Sequence, residues 1–247
     1  ASVLSPGGAY RLRSDVPVTV TQFNPLAFQL ATGCTDRSCF SFTNDASLLL
    51  PTHVLSGSYV AMSRPTHTLT VDGTRGVSSG FVAIVGTSDV PVDVEVRVTA
   101  PTLAGRIGTG LGALVPGTPA TFTLAAGDVL QLLSAVPGSC PGASRTETAG
   151  GMLIEYCDSG SGFDLTGTEI RSNAPVAVFS GHDCTFVPFD RWACDHLEEQ
   201  IFPVEALGPD LFVPGTHPTR MDEPNRLRVV SAANGNTIRF EPPLDGV

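Results

Sequence analysis

Lysine is absent from this chain of 247 residues, and all 14 basic side chains are arginines. The absence excludes enzymes that depend on a Schiff-base lysine, a phosphate-loop lysine or a lysine general base. With 24 acidic residues, the formal net charge at pH 7 is −10. A chain this acidic repels nucleic acids and anionic lipid surfaces, so we expect no nucleic-acid partner.

Long apolar runs are also missing. No run reaches the ~18 apolar residues that a membrane-spanning helix needs, and stretches such as residues 81–85 have the length of a strand. We therefore expect no membrane insertion. The first residues lack the basic stretch that opens a signal peptide, which favours a chain from which any such peptide has already been removed.

Helical periodicity is equally hard to find, and the 26 glycines and 20 prolines would interrupt a long helix. Apolar and polar residues instead alternate in residues 17–23, 92–98 and 237–240, which is typical of strands with one buried face. The pair Asn234-Gly235 indicates a tight hairpin turn. The sequence predicts an all-β, mainly antiparallel fold.

An internal repeat organises the chain. Residues 13–20 and 171–178 share five of eight residues, and a cysteine pair follows each copy. Asp45 then parallels Asp195, Pro51 parallels Pro203, and residues 81–85 parallel residues 226–230. A repeat of this kind indicates duplicated structural units. We predict two related β-sandwich-like units, residues 1–135 and 136–247, packed as one body, with a propeller-like arrangement as the alternative.

The second unit needs a cover for its sheet edge. We expect residues 3–12 to fold over it, with Tyr10 and Leu12 beside Ile238 and Phe240. A strand added by a neighbouring domain or chain is the alternative, because an open apolar edge invites pairing.

Six cysteines fall into three local pairs in glycine-, serine- and proline-rich stretches, which favours disulfides over buried thiols. The predicted bonds join neighbours: Cys34–Cys39, Cys140–Cys157 and Cys184–Cys194. Such bonds indicate an oxidising compartment, extracellular or periplasmic.

Four segments carry a resemblance to a known family: residues 14–25, 44–51, 126–132 and 164–203. In this order they resemble the IgG Fc-binding protein N-terminal domain family of animal mucin-like secreted proteins and bacterial surface proteins. The resemblance implies an extracellular, disulfide-bonded β-module inside a larger adhesive or mucus-associated protein. The lysine-free, arginine- and alanine-rich composition suggests a GC-rich genome, and with it a bacterial surface-protein member.

A zinc site is the first candidate for chemistry. Four side chains in mirror order could surround the metal: His182, Cys184, Cys194 and His196. The first copy keeps its cysteine pair but has Asn24 and Ala46 at the histidine positions. Because a disulfide explains both copies, we expect no zinc.

Catalytic groups are the second candidate. Ser180, His182 and Asp195 could be named as a triad, yet Ser180 lacks the G-x-S-x-G elbow of serine hydrolases. Glu198 and Glu199 could act as a glycosidase pair, but adjacent acids in a turn are usually exposed to solvent. We therefore expect no enzymatic activity.

Calcium is the one cofactor that the acidic turns leave open, and otherwise we expect none. The available carboxylates are Asp72, Asp158, Asp164, Asp222 and Glu223. None of them has the D-x-D-x-D spacing of a calcium loop.

The loop between Cys184 and Cys194 is rich in aromatic residues. Phe186, Phe189, Arg191 and Trp192 lie in it. Such a loop either plugs the core, which we favour, or presents a contact surface, in which case these four residues form the binding site. The sequence as a whole favours a non-enzymatic extracellular binding or adhesion module of a secreted or cell-surface protein. Its partner would be an extracellular protein or glycan, and self-association by strand addition is also considered. A structural subunit of a surface fibre or matrix is the alternative function.

Overall fold

The computed structural model of the protein describes residues 1–24, 28–29, 40–41, 45–107, 109–190, 194–214 and 226–242. Its strands, in chain order, are β1 (Val3–Ser5), β2 (Val20–Asn24), β3 (Phe28–Gln29), β4 (Phe40–Ser41), β5 (Asp45–Leu49), β6 (Ser58–Val60), β7 (His67–Val71), β8 (Thr74–Ser78), β9 (Gly80–Gly86), β10 (Val92–Arg97), β11 (Pro119–Leu124), β12 (Val129–Leu133), β13 (Ser144–Ala149), β14 (Met152–Asp158), β15 (Glu169–Ser172), β16 (Val176–Thr185) and β17 (Asp195–Gln200). Short 3-10 helices occupy Thr52–Val54, Ser161–Phe163 and Val204–Ala206. The named strands pair antiparallel, so the predicted all-β, antiparallel fold is confirmed.

The largest sheet has the strand order β1-β12-β9-β16-β17. At its centre, Ile84 of β9 pairs with Leu130 on one side and with Val178 on the other. Gly181 lets β17 approach β16, because a Cβ atom at this position would lie 1.7 Å from the Leu197 carbonyl oxygen. A larger residue would therefore separate the two strands.

A second sheet, in the order β11-β10-β15-β6, packs against the first and encloses the main core. The alternating residues of β10 show why: Val92, Val94 and Val96 are fully buried, whereas the intervening Asp93 and Glu95 are exposed. Val82, Ile84, Leu130 and Val178 of the first sheet belong to the same core. This layered packing is that of a sandwich rather than of a propeller.

A third sheet, in the order β13-β14-β7-β8, has its own small core. Tyr156 and Phe186 meet there edge to face, with ring centroids 5.4 Å apart. The structure contains the predicted bonds Cys140–Cys157 and Cys184–Cys194 next to this sheet. The third predicted pair, Cys34–Cys39, lies outside the described residues.

Two hairpins lie where the predicted repeat places equivalent strands, and their registers match. In the hairpin of β2 and β5, Gln22 pairs with Ser47, and in the hairpin of β16 and β17, Ser180 pairs with Glu199. Ser47 and Glu199 each lie four residues before a proline, Pro51 or Pro203, that introduces a 3-10 helix.

The register corrects one detail of the sequence alignment. Asn24 pairs with Asp45, and its counterpart His182 pairs with Leu197, so Asp45 corresponds to Leu197 rather than to Asp195. The cause is an irregularity in β16 between His182 and Thr185, which shifts the pairing of Asp195.

The two predicted units share their sheets. The first sheet joins β1, β9 and β12 from residues 1–135 to β16 and β17 from residues 136–247, and the other two large sheets are mixed in the same way. The boundary at residue 135 therefore does not separate one sheet from another.

Both chain ends differ from expectation. Residues 226–242 contain the predicted turn at Asn234-Gly235, but the structure assigns them no strand. At the other end, β1 pairs with β12 and therefore covers the edge of a strand in the first predicted unit. Tyr10 is fully exposed and Leu12 is 64% exposed. The predicted closure of residues 3–12 over the second unit is therefore wrong. The short pairing of β1 ends at Ser5, before these two side chains.

Candidate functional site: a groove on the five-stranded sheet

A large groove, here called the sheet groove, lies on the face of the five-stranded sheet that points away from the main core. Its floor consists mainly of apolar side chains from three central strands: Phe81, Ala83, Val85, Val129, Leu133, Ala177 and Phe179. Its volume is about 1930 Å³, well above the roughly 300–1,000 Å³ of small-molecule sites. The groove therefore has room for a polypeptide segment rather than for a metabolite alone.

The N-terminal segment, residues 7–18, forms one wall of the sheet groove. The Gly7 amide donates a hydrogen bond to Oδ1 of Asp128 at 2.9 Å, and the Ala9 amide donates to the Gly127 carbonyl at 2.9 Å. Further along, Arg11 forms an exposed ion pair with Asp89 at 3.0 Å. These contacts hold the segment beside the sheet while its apolar side chains stay accessible.

The hairpin of β2 and β5 forms the opposite wall and is joined to β17 by side chains. Oγ of Ser47 accepts the Gln200 amide at 2.8 Å, and Oε1 of Gln200 accepts the Leu50 amide at 2.6 Å. The first bond satisfies a backbone amide at the edge of β17, and the second satisfies the amide of Leu50, which follows β5. On its other side, β2 has no partner strand among the described residues.

A polar cluster closes one end of the sheet groove. Oε2 of Glu198 lies 3.4 Å from Nε2 of His196. The other carboxylate oxygen of Glu198 accepts a hydrogen bond from the side-chain amide of Gln22. The Glu198 carboxylate raises the pKa of His196, which also stacks on Phe81 with ring centroids 6.1 Å apart. The neighbouring Glu199 has a pKa raised by burial. The cluster thus offers both hydrogen-bond donors and acceptors beside the apolar floor.

The residues of the candidate triad do not line this groove. Ser180 is buried, and its hydroxyl donates to the Met62 carbonyl at 2.7 Å. Nδ1 of His182 accepts the Cys184 amide at 3.0 Å, so Nε2 carries the proton and donates to the Pro65 carbonyl at 2.9 Å. Both ring nitrogens are occupied, and this bonding holds His182 as a neutral structural residue.

The candidate metal ligands also have other partners. Cys184 and Cys194 are bonded to each other, which removes two of the four proposed zinc ligands. In the described ranges, no three His, Cys, Asp or Glu side chains are grouped to hold a metal ion. Among the calcium candidates, Asp72 accepts the amide of Leu153 in β14, whereas Asp158 and Asp164 each accept the amide two residues further along, all at 2.9 Å. Asp222 and Glu223 lie outside the described residues.

Two aromatic residues of the disulfide loop, Phe186 and Phe189, pack against the small core of the third sheet. Phe186 is 2% exposed and its ring lies 4.7 Å from the ring of His67, while Phe189 packs on the same cluster. Phe186 is therefore buried away from any external ligand. Arg191 and Trp192 lie outside the described residues.

Sequence reasoning missed the groove because its parts come from distant strands. One signal was present: residues 176–179 of β16 are all apolar, and such a strand is normally covered on both faces. Sequence reasoning also missed Arg145, whose guanidinium lies 3.5 Å from the centre of the Tyr156 ring.

Comparison with known proteins assigns the chain to a family. The model of the IgGFc binding protein family matches residues 45–246, which is more than half of the chain. The chain belongs to the IgGFc-binding protein family. The human IgGFc-binding protein is 39% identical over 54 residues, which is 22% of this chain and 1% of the human protein. The chain thus matches only a very small part of that relative. No solved structure matches it.

Proposed function

We propose that this chain is a non-enzymatic extracellular module that binds another protein through the sheet groove. The groove carries the proposal, because a large apolar sheet face with a polar cluster at one end is suited to a polypeptide partner. Family membership supports a binding role, and the human relative is named for binding the Fc part of IgG. IgG Fc is therefore the first ligand to test.

An extracellular or cell-surface location is part of the proposal. The described part of the chain contains two disulfides, and such bonds persist in oxidising compartments. Within the described ranges, no helix has the length and apolarity to span a membrane. A bacterial surface protein as the source stays a prediction from composition.

The bonding of the polar residues supports a role without catalysis. Ser180 and His182 donate to backbone carbonyls inside the protein, and Glu198 bonds to Gln22 and His196. We propose that binding requires no cofactor. Binding that is unchanged after EDTA treatment would support this proposal. Binding that is lost after EDTA treatment and restored by calcium would instead support a calcium site.

The test measures binding of immobilised IgG Fc, a set of other extracellular proteins and a glycan array. The perturbing variant is Val18→Glu, because Val18 lines the groove and is 55% exposed. Its matched control is Leu153→Glu, at a side chain that is 49% exposed and does not line the groove. We expect the first change to weaken binding by about tenfold and the second to leave it unchanged. Equal effects of the two changes would contradict the assignment to the groove.

A structural subunit of a surface fibre or matrix is the second candidate. The open edge of β2 favours it, since a free edge can add strands from other molecules. Open-ended polymers in solution would support this role, and so would adhesion that depends on polymerisation. A discrete monomer or dimer would favour the binding module.

A further inference from the structure

Equivalent positions of the two copies differ sharply in burial. Val176 of β16 is fully buried, whereas its counterpart Val18 is 55% exposed. The reverse holds further along the repeat, where Val82 and Ile84 of β9 are fully buried. Their counterparts in residues 226–230, Leu227 and Val229, are each 50% exposed. Each copy thus leaves exposed the element that the other copy buries.

The buried elements cover each other. β9 of the first copy pairs with β16 of the second, with Ile84 opposite Val178 and Val82 opposite Ser180. The repeat makes β2 the counterpart of β16 and residues 226–230 the counterpart of β9. The reciprocal pairing would join β2 to residues 226–230, and the described residues do not contain it.

Both halves of that missing pairing are available. Among the described residues, no strand pairs with the outer edge of β2, and residues 226–230 form no strand. Arg228 fastens this segment to the body through the Ser63 carbonyl at 2.6 Å and through the carboxylate of Asp164. Release of the Arg228 side chain would remove the hydrogen bonds and the ion pair that the described residues give this segment.

We propose that the outer edge of β2 binds residues 226–230 of a second copy of this chain as an added antiparallel strand. The register of β9 on β16 transfers directly, which places Val229 opposite Val20 and Leu227 opposite Gln22. Each of the two chains supplies one β2 edge and one donor segment, so the exchange closes as a two-fold dimer. The donor also carries Arg226, a positive charge that favours its approach to a second chain of net charge −10.

One pair of variants and one single variant test the proposal by sedimentation equilibrium. In β9, Gly86 bonds to the loop beside β12, so the amide of its neighbour Val85 faces β16. Val230→Pro removes the equivalent donor amide, and its control is Val213→Pro in another irregular segment. We expect Val230→Pro to weaken dimerisation by about tenfold or more, and the control to leave it unchanged. Arg228→Ala frees the donor and places alanine where β9 has Ala83, so it should strengthen dimerisation. A dimer insensitive to Val230→Pro would overturn the proposal.

Cross-linking identifies the occupant of the edge. The double variant Val20→Cys with Val229→Cys should form disulfide-linked dimers, whereas Val20→Cys with Val213→Cys should not. Peptide mapping distinguishes the new bond from the natural ones. An intramolecular bond between residues 20 and 229 would overturn the second copy as donor, and no bond at all would overturn the β2 edge as the acceptor. The proposal is independent of the proposed function, because ligand binding by a strictly monomeric protein would contradict only the dimer.

Discussion

Two buried histidines make the stability of this protein fall in mild acid. His67 is 4% exposed and His182 is fully buried. Burial lowers the pKa of His67 from 6.5 to about 4 and that of His182 from 6.5 to about 3. Below pH 6.5 the unfolded chain takes up a proton at each residue, whereas the folded chain does not. The stability linked to each histidine is therefore lost as the pH falls from 6.5 towards the folded pKa.

The size of the loss follows from these values. A pKa difference of one unit corresponds to about 1.4 kcal/mol, so lowering the pH from 8 to 5 removes about 2 kcal/mol for each histidine and about 4 kcal/mol for both. His196 acts in the opposite direction, because the Glu198 carboxylate raises its pKa and favours its charged form in the folded state. Its contribution grows as the pH falls and offsets part of the loss.

The assay is urea unfolding at pH 8 and pH 5. His182→Asn introduces the residue that the first copy has at this position, Asn24, and should reduce the pH-dependent loss by about 2 kcal/mol. His53→Asn, at an exposed histidine, is the control and should leave the loss unchanged. If His182→Asn unfolds with the same pH dependence as the parent chain, the reasoning is refuted.

Three further changes test individual contacts. Replacing Cys140 and Cys157 by alanine opens a 17-residue separation and should lower the free energy of unfolding by about 3 kcal/mol in urea titrations, and an unchanged midpoint would contradict the chain-entropy argument. Tyr59→Phe removes a hydroxyl that donates to the buried Val176 carbonyl at 2.7 Å, so calorimetry should show a loss of about 1–3 kcal/mol rather than a neutral change. Asp128→Ala removes the carboxylate that accepts the amides of Gly7 and Ala125, so faster amide exchange is expected in residues 7–12 and at Ala125, and exchange rates equal to those of the parent chain would contradict this role.

The fold class could be predicted from the sequence because the β-strand period is local. Residues 92–98 alternate between valine and charged residues, and β10 buries its valines as that pattern requires. The pairing of strands could not be predicted in the same way. β9 joins β16 across a separation of roughly ninety residues, and this contact depends on the packing of whole sheets.

The candidate site was less accessible to sequence reasoning. The cysteine pairs are local, so Cys140–Cys157 and Cys184–Cys194 could be assigned from spacing and confirmed. The sheet groove combines β9, β12 and β16 with the N-terminal segment, and no local pattern records that combination. Glu198 shows the difference: sequence alone suggested an exposed acid, whereas the structure bonds it to Gln22, which lies far away in the chain.

The exchange of strands between the copies should make the chain unfold as one unit. Separate units of residues 1–135 and 136–247 would each keep their own sheets, and calorimetry would then show two transitions. Here each large sheet contains strands from both ranges, and the main core includes Val82 and Ile84 from one range beside Ile170 and Val178 from the other. Loss of either range would expose an apolar face and an unpaired strand edge in the remainder.

We therefore expect a single transition whose calorimetric and van't Hoff enthalpies agree. Residues 1–135 expressed alone should show no cooperative transition, because β9 would lose β16. Two resolved transitions in the full chain, or cooperative unfolding of the isolated first range, would show that the duplication still behaves as two domains.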